Sequence, residues 1–227
     1  MKKAVSFLLI VIAAITACKK KDKEDDIIPE PPVVHTIDKV IISPNNPEVT
    51  VIDIDPDTTL PYRDSLDFKL DIDADNTPDF NIHVANITFT PAHFHGFTTI
   101  TIENLNEDSY VLTDSIYPKK VFHKDTLVTE TPVNQSYPKI LAENDVIYYS
   151  DIKWRKGKQT ISFSYNTYSN TPFDLIANTH ESGWFNVDKK CIGLKSKHKL
   201  GWIKIGITAS TTSDNRIKIY EYTSTKN

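Results

Sequence analysis

Nine residues concentrate the oxygen chemistry of this chain: Asp71-Ile72-Asp73-Ala74-Asp75-Asn76-Thr77-Pro78-Asp79. Carboxylates alternate at Asp71, Asp73 and Asp75, and a fourth follows at Asp79. Calcium takes about six to eight oxygen ligands, and alternate carboxylates on a tightly wound loop converge on one such cation. The backbone carbonyl of Thr77 stands where it would add another oxygen. Asn76 occupies the place that such loops give to glycine, and Asn is the next-best residue for a left-handed backbone. Ile82 stands where an EF-hand would carry its closing bidentate Glu, so this is a different kind of loop. The alternative is a polar turn with solvated carboxylates. Against it, carboxylates held this close repel one another unless a cation neutralises them. A bound ion here would staple the strand ending at Ile72 to the one starting at Phe80. A second acidic stretch, Asp53-Ile54-Asp55-Pro56-Asp57, lacks the later ligand and carries Pro56. It is expected to be a turn, able at most to lend an oxygen to the first site.

Other chemistry-bearing residues are more scattered. His83, His93 and His95 form a candidate transition-metal set, because His93 and His95 on a strand would share one face. Pro91, Ala92 and Gly96 argue for a loop there instead, and histidines on exposed strand faces are common. Cys191 sits in the apolar Cys191-Ile192-Gly193-Leu194 and is expected to pack as a small hydrophobe, with a catalytic thiol as the lesser alternative. Trp154, Trp184 and Trp202 belong either to the core or to a sugar-stacking platform, for which Tyr148, Tyr149, Tyr165 and Tyr168 are the more exposed set. No G-x-S-x-G and no phosphate-cradling glycine loop appears, and the chain has only 6 Gly. Paired carboxylates for glycoside hydrolysis cannot be assigned from sequence, because their separation belongs to the fold.

These residues are positioned by strands. Leu66, Phe68, Leu70 and Ile72 alternate with polar residues. So do Phe80, Ile82 and Val84, then Ile161, Phe163 and Tyr165, then Ile203, Ile205 and Ile207. Period-two alternation is the mark of a half-buried strand. Turn residues punctuate the runs at Pro44-Asn45-Asn46-Pro47, Asn76-Thr77-Pro78, Lys156-Gly157-Lys158 and Ser213-Asp214-Asn215. No segment carries a long apolar stripe at helical spacing. The expected fold is all-β, an antiparallel β-sandwich or jelly-roll-like domain of about nine to twelve strands. The apolar phase changes between Val84 and Ile87, which predicts a bulge or a turn near Ala85-Asn86.

The N-terminus has a separate logic. Lys2 and Lys3 precede an apolar run, Ala4 to Ala14, that is too short to span a bilayer. Ile15-Thr16-Ala17-Cys18 follows, and it resembles the lipobox of bacterial lipoproteins. The resemblance implies cleavage before Cys18 and lipid attachment to its sulfur; an ordinary secretory signal cut near Ala17 is the alternative. The expected organisation is a signal peptide over residues 1–17, a lipidated tether over 18–34 and a β-domain over 35–227. Residues Lys19 to Asp26 are all charged, so this segment cannot bury enough surface to fold and is expected to be disordered. Pro29, Pro31 and Pro32 would then stiffen it. A charged, acid-ending run after a lipidated Cys resembles the surface-export signal of Bacteroidota lipoproteins, with a plain spacer as the alternative. Lys19 in place of Asp implies delivery to the outer membrane, facing the periplasm or the cell surface.

The domain carries a resemblance of its own. Asp67-Phe68-Lys69-Leu70-Asp71-Ile72-Asp73, running on to Pro78-Asp79-Phe80, is one part of it. Cys191-Ile192-Gly193-Leu194, then Leu200-Gly201-Trp202-Ile203-Lys204-Ile205 and Ile217-Lys218-Ile219-Tyr220-Glu221-Tyr222, is the other. Together they resemble a group of uncharacterised secreted β-proteins of Bacteroidota. The chain departs from the group at Asn76, where Gly is usual. The resemblance implies the β-fold and the loop, and it brings no activity with it.

Composition narrows the function class. A formal net charge of -4 with no basic block beyond the tether argues against nucleic acid as a partner. With Cys18 lipidated, Cys191 has no partner for an internal disulfide. The expectation is a membrane-tethered binding or structural module with a calcium loop, whose ligand is a glycan or a protein. The alternative is a hydrolase acting on extracellular polysaccharide. Replacing Cys18 with Ser should abolish metabolic palmitate labelling. Labelling that persists in Cys18→Ser would refute the lipobox.

Overall fold

Alternation in the sequence becomes strand, and the strands stack into layers. In the computed structural model the residues described are 37–60, 66–88, 95–114, 117–123, 126–133, 136–168, 175–184, 186–208 and 216–225. Cys18, His93 and the Ser213-Asp214-Asn215 turn lie outside them. Sixteen strands occur among the described residues, and no helix. The first eight are β1 (Lys39–Ile41), β2 (Val49–Leu60), β3 (Leu66–Leu70), β4 (Phe80–Thr88), β5 (His95–Asn104), β6 (Ser109–Asp114), β7 (Tyr117–His123) and β8 (Thr126–Val133). The rest are β9 (Tyr137–Pro138), β10 (Val146–Tyr148), β11 (Trp154–Arg155), β12 (Gln159–Tyr168), β13 (Leu175–Glu181), β14 (Val187–Ser196), β15 (Lys199–Thr208) and β16 (Arg216–Thr225).

The pairings are antiparallel. One seven-stranded sheet has the order β3-β4-β5-β12-β13-β7-β8. The other runs β11-β6-β14-β15-β16-β2, with β9 paired to β6, and β1 with β10 forms a small third sheet. The two large sheets make the sandwich. Leu70, Phe80, Ile82, Ile102 and Ile161 of the first pack against Ile192, Leu194, Ile203, Ile205 and Ile219 of the second. The small sheet covers part of the other face of the second. There Val40 and Ile147 pack with Leu112, Cys191, Leu200 and Trp202.

The middle sheet is therefore buried on both faces along β14 and β15, and its sequence shows it. Cys191-Ile192-Gly193-Leu194 is continuously apolar instead of alternating, as strands covered on both sides are. Gly193 is needed for the fit. A Cβ there would sit 3.2 Å from Leu112 Cβ and 3.3 Å from Ile147 Cδ1, so its absence lets the small sheet close down on β14.

Three expectations are corrected. No bulge or turn interrupts residues 85 and 86, because β4 pairs with β5 without a register shift from Phe80↔Asn104 to Thr88↔Gly96. The phase change therefore falls within one continuous strand that pairs without an extra residue. The Asp53–Asp57 stretch is strand, within β2, and not a turn. Its register against β16 jumps from Asp53↔Glu221 to Thr58↔Ile219, a bulge on an edge strand. Pro56 has no N–H to donate to a ladder, and such a bulge is where a strand tolerates it. The strand count also exceeds expectation. The surplus comes from two- and three-residue pairings, β1, β9, β10 and β11, too short to show alternation. One smaller shift is that β3 ends at Leu70, although Ile72 is still buried in the core.

Cys191 is wholly buried, and burial pushes its thiol up to about 12. In a Cys18→Ser chain it is the only thiol. Labelling by a thiol reagent at pH 8 should then be slow in the native protein and become rapid on unfolding. Labelling of native protein at the rate of a free thiol would contradict the packed middle layer.

Candidate metal centre

The loop between β3 and β4 is built by its own aspartates. Asp71 accepts from the backbone N–H groups of Ala74 (Oδ1, 2.8 Å) and Asn76 (Oδ2, 2.8 Å). Asp73 Oδ1 accepts from Asp75 N (3.3 Å), and Asp75 Oδ1 accepts from Thr77 N (2.8 Å). Each is a short-range aspartate turn, the local bonding that makes Asp a loop residue. The winding needs left-handed backbone at two positions, Ala74 (φ 61°) and Asn76 (φ 67°). Asn tolerates that conformation; Ala does so at a cost of roughly 1 kcal/mol.

Asp79 closes the loop from the far side and is 1% exposed. Its Oδ2 accepts from Ile72 N (2.8 Å) and Asp73 N (3.3 Å). Its Oδ1 accepts from Asn106 Nδ2 (2.7 Å) and Ser196 Oγ (2.5 Å), with Ser109 Oγ 3.4 Å away. Ser109 and Ser196 are themselves fully buried, with their hydroxyl oxygens 2.9 Å apart. One carboxylate thus joins its own loop to the residues before β6 and at the end of β14. No acid-base chemistry is implied by this arrangement; both oxygens serve as anchors.

The structure brings Asp71, Asp73 and Asp79 together. One oxygen from each lies within 4.8 Å of the others, a set able to hold a metal ion. Asp73 and Asp79 are buried and Asp71 half-buried. Asp75 is not part of this set. Its carboxylate turns to Lys197, whose Nζ lies 2.5 Å from Asp75 Oδ2 and 2.7 Å from Asp73 Oδ2. The ammonium and the Thr77 N–H hold Asp75 below the usual carboxylate range. Asp73 is pushed the other way by burial, with the Lys197 bond opposing and the neighbouring Asp79 charge adding to the rise. Lys197 itself is raised by its bonds to both carboxylates. Thr77 is exposed and takes part here through its N–H.

Sequence reasoning missed Lys197, Ser196, Asn106 and Ser109. None carries a local signal, since Ser196 and Lys197 lie 117 and 122 residues from the aspartates they meet. The one available hint was the excess of negative charge, which asks for a cation somewhere.

The other candidates sort differently. His83 is bound to Asp67, Nδ1 to Oδ1 at 2.8 Å, on the half-exposed face of β4. His95 opens β5, while His93 lies outside the described residues. Trp184 and Trp202 are fully buried and Trp154 is 8% exposed, so the tryptophans are core. Trp184 donates to Pro138 O at 2.7 Å and Trp154 to Tyr148 O at 3.1 Å. Asp53 and Asp57 line a groove of about 450 Å³ with residues of β14, β15 and β16, and neither belongs to the carboxylate set of the loop. Several of its charges are paired internally: Lys204 with Glu221 (2.5 Å), Lys218 with Asp57 (2.6 Å), and the Tyr220 hydroxyl with Asp188. Burial, then the Asp188 contact, pushes Tyr220 up to about 12.

Comparison of the chain with protein-family models, with curated proteins and with solved structures finds no match. The site must therefore be interpreted on its geometry alone.

Asp79→Ala would leave two backbone N–H groups, an amide and a hydroxyl without their acceptor in a buried place. Each such orphan costs about 1–3 kcal/mol unless water reaches it. The expected loss is about 3 kcal/mol or more, measured by urea unfolding. An unchanged midpoint would show that Asp79 does not hold the two sheets together.

Proposed function

We propose that this chain is a lipid-anchored cell-envelope protein whose β-sandwich acts as a binding or structural module, with the loop over residues 71–79 taking a structural calcium ion. The anchor rests on Lys2, Lys3, the apolar run and Ile15-Thr16-Ala17-Cys18. The tether and Lys19 favour the outer membrane, with the domain facing the periplasm or the exterior and meeting a glycan or protein there. The observation that carries the calcium reading is the convergence of Asp71, Asp73 and Asp79 within 4.8 Å, two of them buried. Carboxylates repel at that range in a poorly solvated place, and a hard divalent cation with flexible oxygen coordination relieves the repulsion.

A hydrolase of extracellular polysaccharide is the competing class. It would need two carboxyl groups facing each other across a cleft and free to exchange protons. In the groove over β16, Glu221 and Asp57 are each held by a lysine and Asp188 by Tyr220. Those pairings favour a static surface, so binding is the better-supported class.

Calcium that binds only the folded state stabilises by RT ln(1 + [L]/Kd). Extracellular oxygen sites bind at about 0.1 to 1 mM, so a few millimolar calcium should add about 1 kcal/mol. The melting temperature should rise by a few degrees over chelator-treated protein, and Asp73→Ala should abolish the response. Magnesium should substitute poorly, because it demands a tighter octahedral shell. Identical melting curves in chelator and in millimolar calcium would remove the metal from this reading.

A further inference from the structure

We propose that the outer face of the small sheet, with the basic segment beside it, docks on the phosphate-bearing surface of the membrane that holds the tether. This rests on the lipid-anchor reading above and adds which side of the domain meets the bilayer.

The apolar part comes from the small sheet. Val40 and Ile147 face each other in the β1–β10 pair and are wholly buried. Side chains alternate along a strand, so Ile41 and Tyr148 point outward. They are 44% and 52% exposed. A turn closed by Asp151 N donating to Tyr148 O (3.3 Å) then presents Ile152, which is 87% exposed. Five large hydrophobic side chains are exposed among the described residues, and Ile41, Tyr148 and Ile152 are three of them. Scattered singly they would need no explanation; gathered beside one another they mark a contact. The chain also enters the domain here. The tether over residues 18–34 leads into β1, and Asp38 O accepts from Tyr149 N (2.8 Å). Such a tether reaches about 60 Å at most, so it keeps this side within range of the surface without forcing it down.

The charged part follows directly. Ile152-Lys153-Trp154-Arg155-Lys156-Gly157-Lys158 holds four bases in seven residues, a cluster overlooked when the chain is read by its net charge of -4. Lys153 is paired with Asp114 (3.0 Å). Arg155 donates to the carbonyls of Ile152 and Trp154, both at 3.1 Å. Lys156 Nζ lies 4.9 Å from the centre of the Tyr110 ring, and Lys195 Nζ lies 4.5 Å from it. Lys195 also faces Tyr149 (4.6 Å) and Trp154 (4.9 Å). Among the described residues, none of Arg155, Lys156, Lys158 and Lys195 forms an ion pair. Asp38 and Asp151 offset only part of this charge. Exposed aliphatic and tyrosine side chains beside arginine and lysine make an interfacial membrane contact: the apolar groups enter the headgroup layer and the cations meet phosphate. Each basic residue near an anionic surface strengthens binding about fivefold. The anchor supplies a high local concentration, so a patch too weak to hold a free domain suffices for a tethered one. A stacked sugar is the poorer fit, because ammonium groups already lie over Tyr110, Tyr149 and Trp154.

The test uses the lipidated chain in vesicles of phosphatidylethanolamine and phosphatidylglycerol, with a polarity-sensitive dye on one introduced thiol. Ser150→Cys puts the dye between Tyr148 and Ile152 without removing either. Val128→Cys, at an exposed position on β8 in the other large sheet, is the control. Cys191 is buried and Cys18 carries the lipid, so neither takes the dye. At position 150 the dye should shift to the blue and be quenched by nitroxide-labelled headgroups; at position 128 it should do neither. Both signals should weaken at about 1 M salt, where the screening length falls to about 3 Å. They should weaken likewise when Arg155→Gln, Lys156→Gln and Lys158→Gln are combined, and the salt series holds even if that variant does not fold. A dye at 150 that stays in water, or that behaves like the one at 128, would overturn the docking and leave the anchor intact. A mass showing Cys18 unmodified would remove the anchor and this proposal with it. A dye at 150 that responds to soluble dextran sulfate but not to vesicles would overturn the membrane contact and assign the patch to an acidic glycan.

Discussion

A buried carboxylate with four donors fixes how the two large sheets face each other. Apolar contact between sheets is strong but has no direction, and it would tolerate sliding by a residue in either sense. Asp79 removes that freedom. One oxygen is held by the N–H groups of Ile72 and Asp73, in the loop that joins β3 to β4. The other is held by Asn106 and Ser196, which belong to the approach to β6 and the end of β14. The first pair of strands lies in one sheet and the second pair in the other. Charge-assisted bonds of this kind are short and directional, and breaking one partner leaves the rest buried and unpaired.

The same contact brings together two long stretches of the chain. They are far apart in sequence, yet they are two halves of one interface. Asp67 to Phe80 supplies β3, the acidic loop and the start of β4. Cys191 onward supplies β14, β15 and, after the second turn, β16, which are consecutive neighbours in the middle sheet. The loop meets the β14–β15 turn through Ser196 and Lys197. Between them, Gly193 admits the small third sheet, so the middle sheet is packed on both sides at the place where the loop also docks.

Much of this was legible in the residues. β3, β4, β12 and β15 announced themselves by alternation, because each shows one face to the sandwich core. Asn76 was expected in left-handed backbone and is there, at φ 67°. Other features had no local signature. The strand through Pro56 looks like a turn by composition, and only its position at a sheet edge makes it a bulged strand. The phase change after Val84 looks like an inserted residue, yet the backbone runs on as one strand whose pairing carries no extra residue. Ala74 gave no sign of its φ of 61°, since the loop imposes it through Asp71. Lys197, which meets Asp75, and Ser196, which meets Asp79, come from more than a hundred residues away, and no spacing rule reaches that far.

The sequence argument that crowded carboxylates require a cation also takes a more exact form. The four aspartates do not share one burden. Asp71 and Asp79 are met mainly by N–H, amide and hydroxyl dipoles, and their charge is spread into the backbone of the loop. Asp73 and Asp75 are met by the Lys197 ammonium. Dipoles from turns are permanent parts of the fold, whereas an ammonium on a flexible stem can leave. So the loop has one half met by dipoles, which makes the shape, and one half met by an ammonium, which balances the charge. Asp73 lies on the boundary between the halves. Its backbone N–H belongs to Asp79 and one oxygen to Asp75 N, while its other oxygen meets the Lys197 ammonium. A folded acidic loop therefore does not by itself demand a metal, and the presence of a lysine does not exclude one.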